Sequence, residues 1–213
     1  ENDNIIALNG VSFALYNLNN FENSILGYEK ILLYDPYYYE SFYYLGKINI
    51  KLENYDLAIP KLTQALMLNP ENSDIYFNLG LAYMNTNRLV QAMDAFNRSV
   101  KLYSENGEAY YNLGIIYENI LKTDKAINAY KIAKKYSPYI MDINYRLGML
   151  LFKNEQFYDS MEPLREYIIY NPDSISVLKV LGDVFINESR FQESINTFER
   201  LITLFPYNDE YLK

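Results

Sequence analysis

Between residues 107 and 120, apolar side chains return every three or four positions: Tyr110, Leu113, Gly114, Tyr117 and Ile120. At the period of a helix these fall on one face, so the stretch predicts an amphipathic helix. After "LKTDK" the pattern restarts with Ala126, Ile127, Tyr130 and Ala133, a second amphipathic helix. Pro138 ends it, because proline has no N–H for the ladder and its ring clashes with the preceding turn. Two helices joined by a short turn account for residues 107–140.

The same pattern is written along the whole chain. "AYYNLGIIY" at 109–117 has a near twin in "IYFNLGLAY" at 75–83 and a looser one in "SFYYLGKIN" at 41–49. Gly46, Gly80, Gly114, Gly148 and Gly182 lie 34 residues apart. Pro36, Pro70, Pro138, Pro172 and Pro206 form a second comb of that spacing, with Ser104 in its one gap. A fixed period of this length marks a tandem array of supersecondary units. With each glycine at position 8, the repeats are 5–38, 39–72, 73–106, 107–140, 141–174 and 175–208. They are expected to form a single domain over 1–213, with 209–213 starting a further helix. Position 20 is always small: Ser24, Ala58, Ala92, Ala126, Ser160 and Ser194. Helices approach closely only where side chains are nearly absent, so each glycine is expected to face the small residue of its own repeat. The Leu-Gly pair is then packing, not chemistry.

The residues Tyr110, Leu113, Gly114, Tyr117, Ala126, Tyr130 and Pro138, echoed by Tyr76, Leu79, Gly80, Tyr83, Ala92 and Phe96, resemble the tetratricopeptide repeat. The resemblance covers nearly the whole chain. Departures are local: Ser12 replaces the first glycine, Asn144 an aromatic, and "LKT" at 121–123 the usual turn. Pro60 and Pro163 fall inside second helices and are expected to bend them slightly.

The resemblance implies an all-α, right-handed superhelical solenoid of six 34-residue helix-turn-helix repeats. First helices would line a concave groove where partners bind. Positions 2, 5, 6, 9, 12 and 13 would point into it. Position 5 carries Tyr43, Phe77, Tyr111 and Tyr145; position 9 carries Leu81, Ile115 and Met149; position 12 carries Met84 and Phe152. Position 6 adds Asn78, Asn112 and Arg146, and position 2 adds an acidic edge of Glu40, Asp74, Glu108 and Asp142. Apolar residues at position 9 depart from the polarity usual in the family. The fifth repeat, "DINYRLGMLLFK", is apolar on nearly every side, so it is either buried all round or bound by a partner on its second face. Two readings of the groove residues stay open: a binding surface, or tight winding that hides them. Asn78 and Asn112 likewise suit either an extended peptide backbone or plain surface polarity.

Some family members clamp the acidic C-termini of chaperones with Lys and Asn at positions 5 and 9, Asn at 6, then Lys and Arg at 2 and 6. Here Phe77 and Leu81, Asn112, then Asp142 and Arg146 stand in the best window, and Asp142 would repel a carboxylate. That clamp is absent.

Composition narrows the partner. The net charge of −8 argues against a nucleic-acid backbone or an anionic membrane. With no cysteine there is no disulfide or thiolate metal site, and with no histidine the commonest general base and metal ligand are missing. No cofactor is expected, nor catalysis, since no Gly-rich phosphate loop, "GxSxG" or "HExxH" occurs. The longest apolar runs, such as "MLLF" at 149–152, are too short to cross a bilayer. The 24 tyrosines argue nothing by abundance, because Tyr, Asn, Ile and Lys all have AT-rich codons.

The expected function is a protein-interaction scaffold that binds a peptide or amphipathic helix with apolar anchors and basic flanks. A self-assembling structural scaffold, or the targeting arm of a larger enzyme, are the alternatives. The chain begins at Glu1 and stops at "DEYLK", which reads as a segment of a longer protein. The C-terminal helix pair, with Phe198, Leu201, Ile202 and Phe205, is expected to need either a further helix or self-association to cover its apolar edge.

Overall fold

A computed structural model describes residues 2–204, with side chains from residue 4 onward. Phe205, Pro206 and the helix start expected at 209–213 lie outside the described residues. Among the described residues the elements are helices throughout: α1 (Asn2–Asn17), α2 (Phe21–Tyr34), α3 (Tyr39–Lys51), α4 (Tyr55–Leu68), α5 (Ser73–Asn85), α6 (Leu89–Leu102), α7 (Gly107–Asn119), α8 (Thr123–Tyr136), α9 (Met141–Lys153), α10 (Phe157–Tyr170), α11 (Ile175–Asn187) and α12 (Phe191–Leu204). Each repeat supplies one first helix and one second helix.

Local chemistry sets the ends. Between the helices of every repeat one residue takes a left-handed backbone: Asn19, Glu53, Asn87, Leu121, Glu155 and Ser189, all with φ between 56° and 60°. Such a residue closes a helix C-terminus and turns the chain. Asparagine adopts it readily, whereas Leu121 pays a steric cost between its Cβ and backbone. Asn72 caps α5 by accepting from the N–H groups of Asp74 and Ile75. Second helices stop two residues before the proline position, and α6 stops there too, although Ser104 replaces the proline. The helices α4 and α10 run through Pro60 and Pro163 without interruption.

The chain packs as two compact units, one up to Ala109 and one from Tyr110 onward. In the first, Tyr28 and Ile31 of α2 cover Leu45 and Ile48 of α3, while Leu62 and Ala65 of α4 cover Ile75, Leu79 and Ala82 of α5. In the second, Tyr130 and Ala133 of α8 meet Ile143, Leu147 and Leu150 of α9, and Leu164 of α10 meets Val177, Leu181 and Val184 of α11. Each fully buried Ile, Leu or Val among them contributes about 1.5–3 kcal/mol relative to exposure.

The glycines meet a different neighbour from the one expected. A Cβ at Gly46, Gly80, Gly114, Gly148 or Gly182 would collide with the bulky residue at position 24, namely Leu62, Phe96, Tyr130, Leu164 or Phe198. In two repeats the small residue at position 20 sits by the backbone of position 8, Ser194 Oγ donating to the Gly182 carbonyl and Ser24 Oγ to that of Ser12, whereas Ser160 Oγ donates to the Phe157 carbonyl of its own helix. Position 24 lies one helical turn beyond position 20 on the same face, and its larger side chain is what fills the space the glycine leaves. The first repeat swaps partners. Ser12 stands where glycine is usual, and Gly27 opens the space that its hydroxyl occupies.

Candidate functional site

Most of the position-5, -9 and -12 side chains named from the sequence are in an intermediate state, neither bare nor covered, but Tyr43 is buried and so is not open to a partner. In the first unit Phe77, Leu81 and Met84 of α5 are half-buried, and Tyr43 of α3 is 9% exposed. In the second unit Tyr111 and Ile115 of α7, and Tyr145, Met149 and Phe152 of α9, are half-buried. The aromatics at position 5 lean on their own second helix: Phe77 on Phe96 at 5.9 Å, Tyr111 on Tyr130 at 6.1 Å, Tyr145 on Tyr167 at 5.2 Å between ring centroids. They therefore stiffen the helix pair and expose one edge. The all-round apolar helix α9 divides its residues: Ile143, Leu147, Leu150 and Leu151 enter the core, while Met149 and Phe152 pack at its margin.

The polar residues are more engaged than the sequence suggests. Asn78 is buried and its amide donates to the Asp74 carbonyl of its own helix at 2.7 Å. Asn112 is also buried. At the acidic edge, Glu40 accepts from Asn9 Nδ2 at 3.0 Å and from Tyr38 OH at 2.6 Å. Asp142 accepts from Tyr111 OH at 2.6 Å and from Arg146. Asp74 is exposed, and Glu108 is half-buried. A register rule emerges: a donor at position 5 reaches the carboxylate at position 2 of the next repeat. Asn9 to Glu40 and Tyr111 to Asp142 share a separation of 31 residues. Tyr43 and Asp74 follow it, and the Tyr43 hydroxyl is raised above its ordinary pKa by burial first and then by the charge of Asp74.

In the second unit this contact belongs to a chain of hydrogen bonds across three helices. Arg146 of α9 also reaches Glu118 of α7 at 3.2 Å, and Glu118 accepts from Tyr130 OH of α8 at 2.8 Å. Burial, then the carboxylate, push both tyrosine hydroxyls up in pKa. Neither Glu118 nor Tyr130 was among the site residues expected from the sequence, where Tyr130 figures only as a helix-face and motif residue. The repeated 31-residue spacing of donor and acid was the available signal for the Tyr111–Asp142 part.

Elsewhere in the second unit a cleft of about 720 Å³ opens between second helices. Two of its cations are paired, Lys134 with Glu162 and Glu166 at 3.3 and 3.0 Å and Arg165 with Glu193 at 2.8 Å, while Lys135 lies over the Tyr136 ring. Lys134 and Arg165 thus offer no free charge to a ligand. Among the described residues no cluster of carboxylates suits a metal ion, and no helix is long and apolar enough to cross a membrane.

Tandem helix pairs closed by glycine contacts define an all-α helical-repeat protein, a solenoid of six helix pairs. Two family models described as tetratricopeptide repeat match the sequence, one at residues 49–114 and one at 108–138. Together these matches span residues 49–138, and that part of the chain is similar in sequence to tetratricopeptide repeats. No curated protein matches the sequence. Among solved structures, PilF of Pseudomonas aeruginosa superposes with a TM-score of 0.75 at 16% identity, covering 99% of this chain and 96% of its own. YrrB, a repeat protein described as having an unusual peptide-binding site, gives 0.74 at 14% identity, covering 87% and 95%. MamA gives 0.68 at 23% identity, covering 79% and 92%. At these identities the likeness is one of fold.

Proposed function

We propose that the chain is a protein-interaction scaffold whose first-helix faces bind a peptide or amphipathic helix. The observation that carries this reading is the row of half-buried apolar side chains on those faces: Phe77, Leu81 and Met84 in one unit, Tyr111, Ile115, Tyr145 and Met149 in the other. Side chains already held by a neighbouring second helix, yet open on one edge, are preorganised anchors and lose little entropy on binding. The peptide-binding site named for YrrB supports the reading by likeness of fold. Basic flanks on the partner suit Asp74, the exposed member of the acidic edge. Aromatic anchors dominate such interfaces, whereas rim charges set encounter rate.

The test is a pull-down with this chain, followed by calorimetry on the segment it retains. Tyr145→Ala should weaken binding by about 2 kcal/mol, and Asp74→Ala by less. A partner indifferent to Phe77→Ala, Ile115→Ala and Tyr145→Ala alike would overturn the assignment.

Self-assembly through an end face has its own supporting observation. On α1 Ala7, Val11 and Ala14 are exposed, Val11 at 58%, and Leu18 in the turn that follows is 76% exposed. At the second and third of these positions the other repeats bury Leu45, Leu79, Leu113, Leu147 and Leu181, and Ile48, Ala82, Ile116, Leu150 and Val184. At the other end Leu201 is already fully buried, with Phe198 and Ile202 half-buried. The exposed α1 face is therefore a candidate surface for self-association beside the C-terminal edge. Sedimentation across a concentration series separates the readings: a pure binder keeps one size without its ligand.

A further inference from the structure

On the first-helix face of the first unit, the Lys47 ammonium lies over three tyrosine rings. Its Nζ is 5.5 Å from the centroid of Tyr16, 5.1 Å from Tyr43 and 5.7 Å from Tyr44. The three rings come from two helices, and the cluster is locked by edge-on contacts of Tyr44 with Tyr16 and Tyr43, and of Tyr44 with Phe13. Aromatic faces attract a cation. They accept hydrogen bonds poorly, so the three ammonium N–H groups are only partly satisfied by them. Among the described residues no carboxylate stands within ion-pairing distance of Lys47. Arg88, Lys134, Arg146 and Arg165 each hold a carboxylate at 3.3 Å or less, and Lys61, Lys125 and Lys135 lie over one ring each, whereas Lys47 lies over three. Burial lowers its pKa, Asp74 opposes that shift and Lys51 adds to it.

We propose that Lys47 is the specificity-determining residue of this face and receives an internal Asp or Glu side chain of the bound segment. This rests on the reading of the first-helix faces as the binding surface. Charge complementarity argues for an anion, since a half-buried ammonium backed by rings gains most from a carboxylate. A single negative charge fits better than a phosphate dianion, because Asp74 acts on the same ammonium and the chain carries a net charge of −8. An internal side chain fits better than a chain terminus, because apolar residues continue on both sides: Phe13 on α1, and Phe77 and Leu81 on α5. The site differs from the two-carboxylate clamp that this sequence lacks, in both its position in the repeat and its tyrosine backing.

The probe is a display library of short random peptides held at both ends in a carrier loop. It is selected on the wild type, on Lys47→Met, on Lys47→Arg and on the pair Phe77→Ala and Leu81→Ala. Methionine keeps the stem against the rings without the charge, arginine keeps the charge, and thermal melts verify that each variant folds. Wild type and Lys47→Arg should enrich an acidic residue between apolar ones. In the resynthesised peptide, Glu→Gln should then raise Kd about tenfold on the wild type and hardly at all on Lys47→Met. Peptides that need Phe77 and Leu81 but carry no fixed acid, or whose Glu→Gln change costs as much on Lys47→Met, would overturn Lys47 and leave the surface standing. An acid requirement met only by a free C-terminal carboxylate would also overturn it. No enrichment over an unrelated protein, or peptides blind to Phe77→Ala and Leu81→Ala, would overturn the binding surface and Lys47 with it.

Discussion

Gly114 and Gly10 both sit inside first helices, and alanine should have opposite effects at the two sites. Within a helix, Gly→Ala restricts the unfolded chain and stabilises by about 1 kcal/mol where nothing obstructs the new methyl. Gly10 is such a place, with no atom within 4 Å of a Cβ. At Gly114 the methyl would stand 2.4, 2.6 and 2.9 Å from ring carbons of Tyr130. Carbon atoms rest about 3.5–4.0 Å apart, so the ring has to retreat by about 1 Å. It cannot do so freely, because Tyr130 is fully buried and its hydroxyl donates to Glu118 at 2.8 Å. Overpacking of this kind costs about 1–3 kcal/mol, and a weakened buried hydrogen bond about 1 kcal/mol more. Set against the propensity gain, Gly114→Ala should destabilise by about 1–3 kcal/mol while Gly10→Ala stabilises by about 1 kcal/mol. Gly114→Leu should be worse. Urea unfolding followed by circular dichroism reads both, and hydrogen exchange of the α7 and α8 amides locates the loss. If the two alanines shift the midpoint in the same direction, the ring contact is not what requires the glycine.

Two further substitutions probe single contacts. Tyr28 and Tyr130 hold position 24 in their repeats and both are fully buried, but Tyr28 OH has no hydrogen-bond partner. Tyr28→Phe should be neutral or stabilising and Tyr130→Phe destabilising by about 1–2 kcal/mol in thermal or urea unfolding, and equal effects would contradict the Glu118 contact. Leu121 holds φ 58° at 87% exposure, so Leu121→Asn should stabilise by up to about 1 kcal/mol, and an unchanged or lowered midpoint would show that its left-handed backbone carries no penalty.

Helix pairing, the 34-residue period and the six-repeat array were legible in the sequence because they are local and written repeatedly. A period of three to four residues places side chains on one face without reference to anything distant, and Leu79, Leu113 and Leu147 are buried as that pattern requires. The row of half-buried apolar side chains was also legible as a set of register positions. What those positions touch was not. A glycine at position 8 announces a close approach, yet whether position 20 or 24 fills the gap depends on how the two helices cross. The acids at position 2 read as an edge facing a partner, yet Glu40 and Asp142 are bound by donors from the repeat before. Lys47 stands at position 9 of its repeat, and only the convergence of α1 and α3 surrounds it with tyrosine rings. Periodicity specifies the direction in which a side chain leaves its helix. The neighbour it meets is decided by the angle and offset between helices, which the packing of the whole repeat determines.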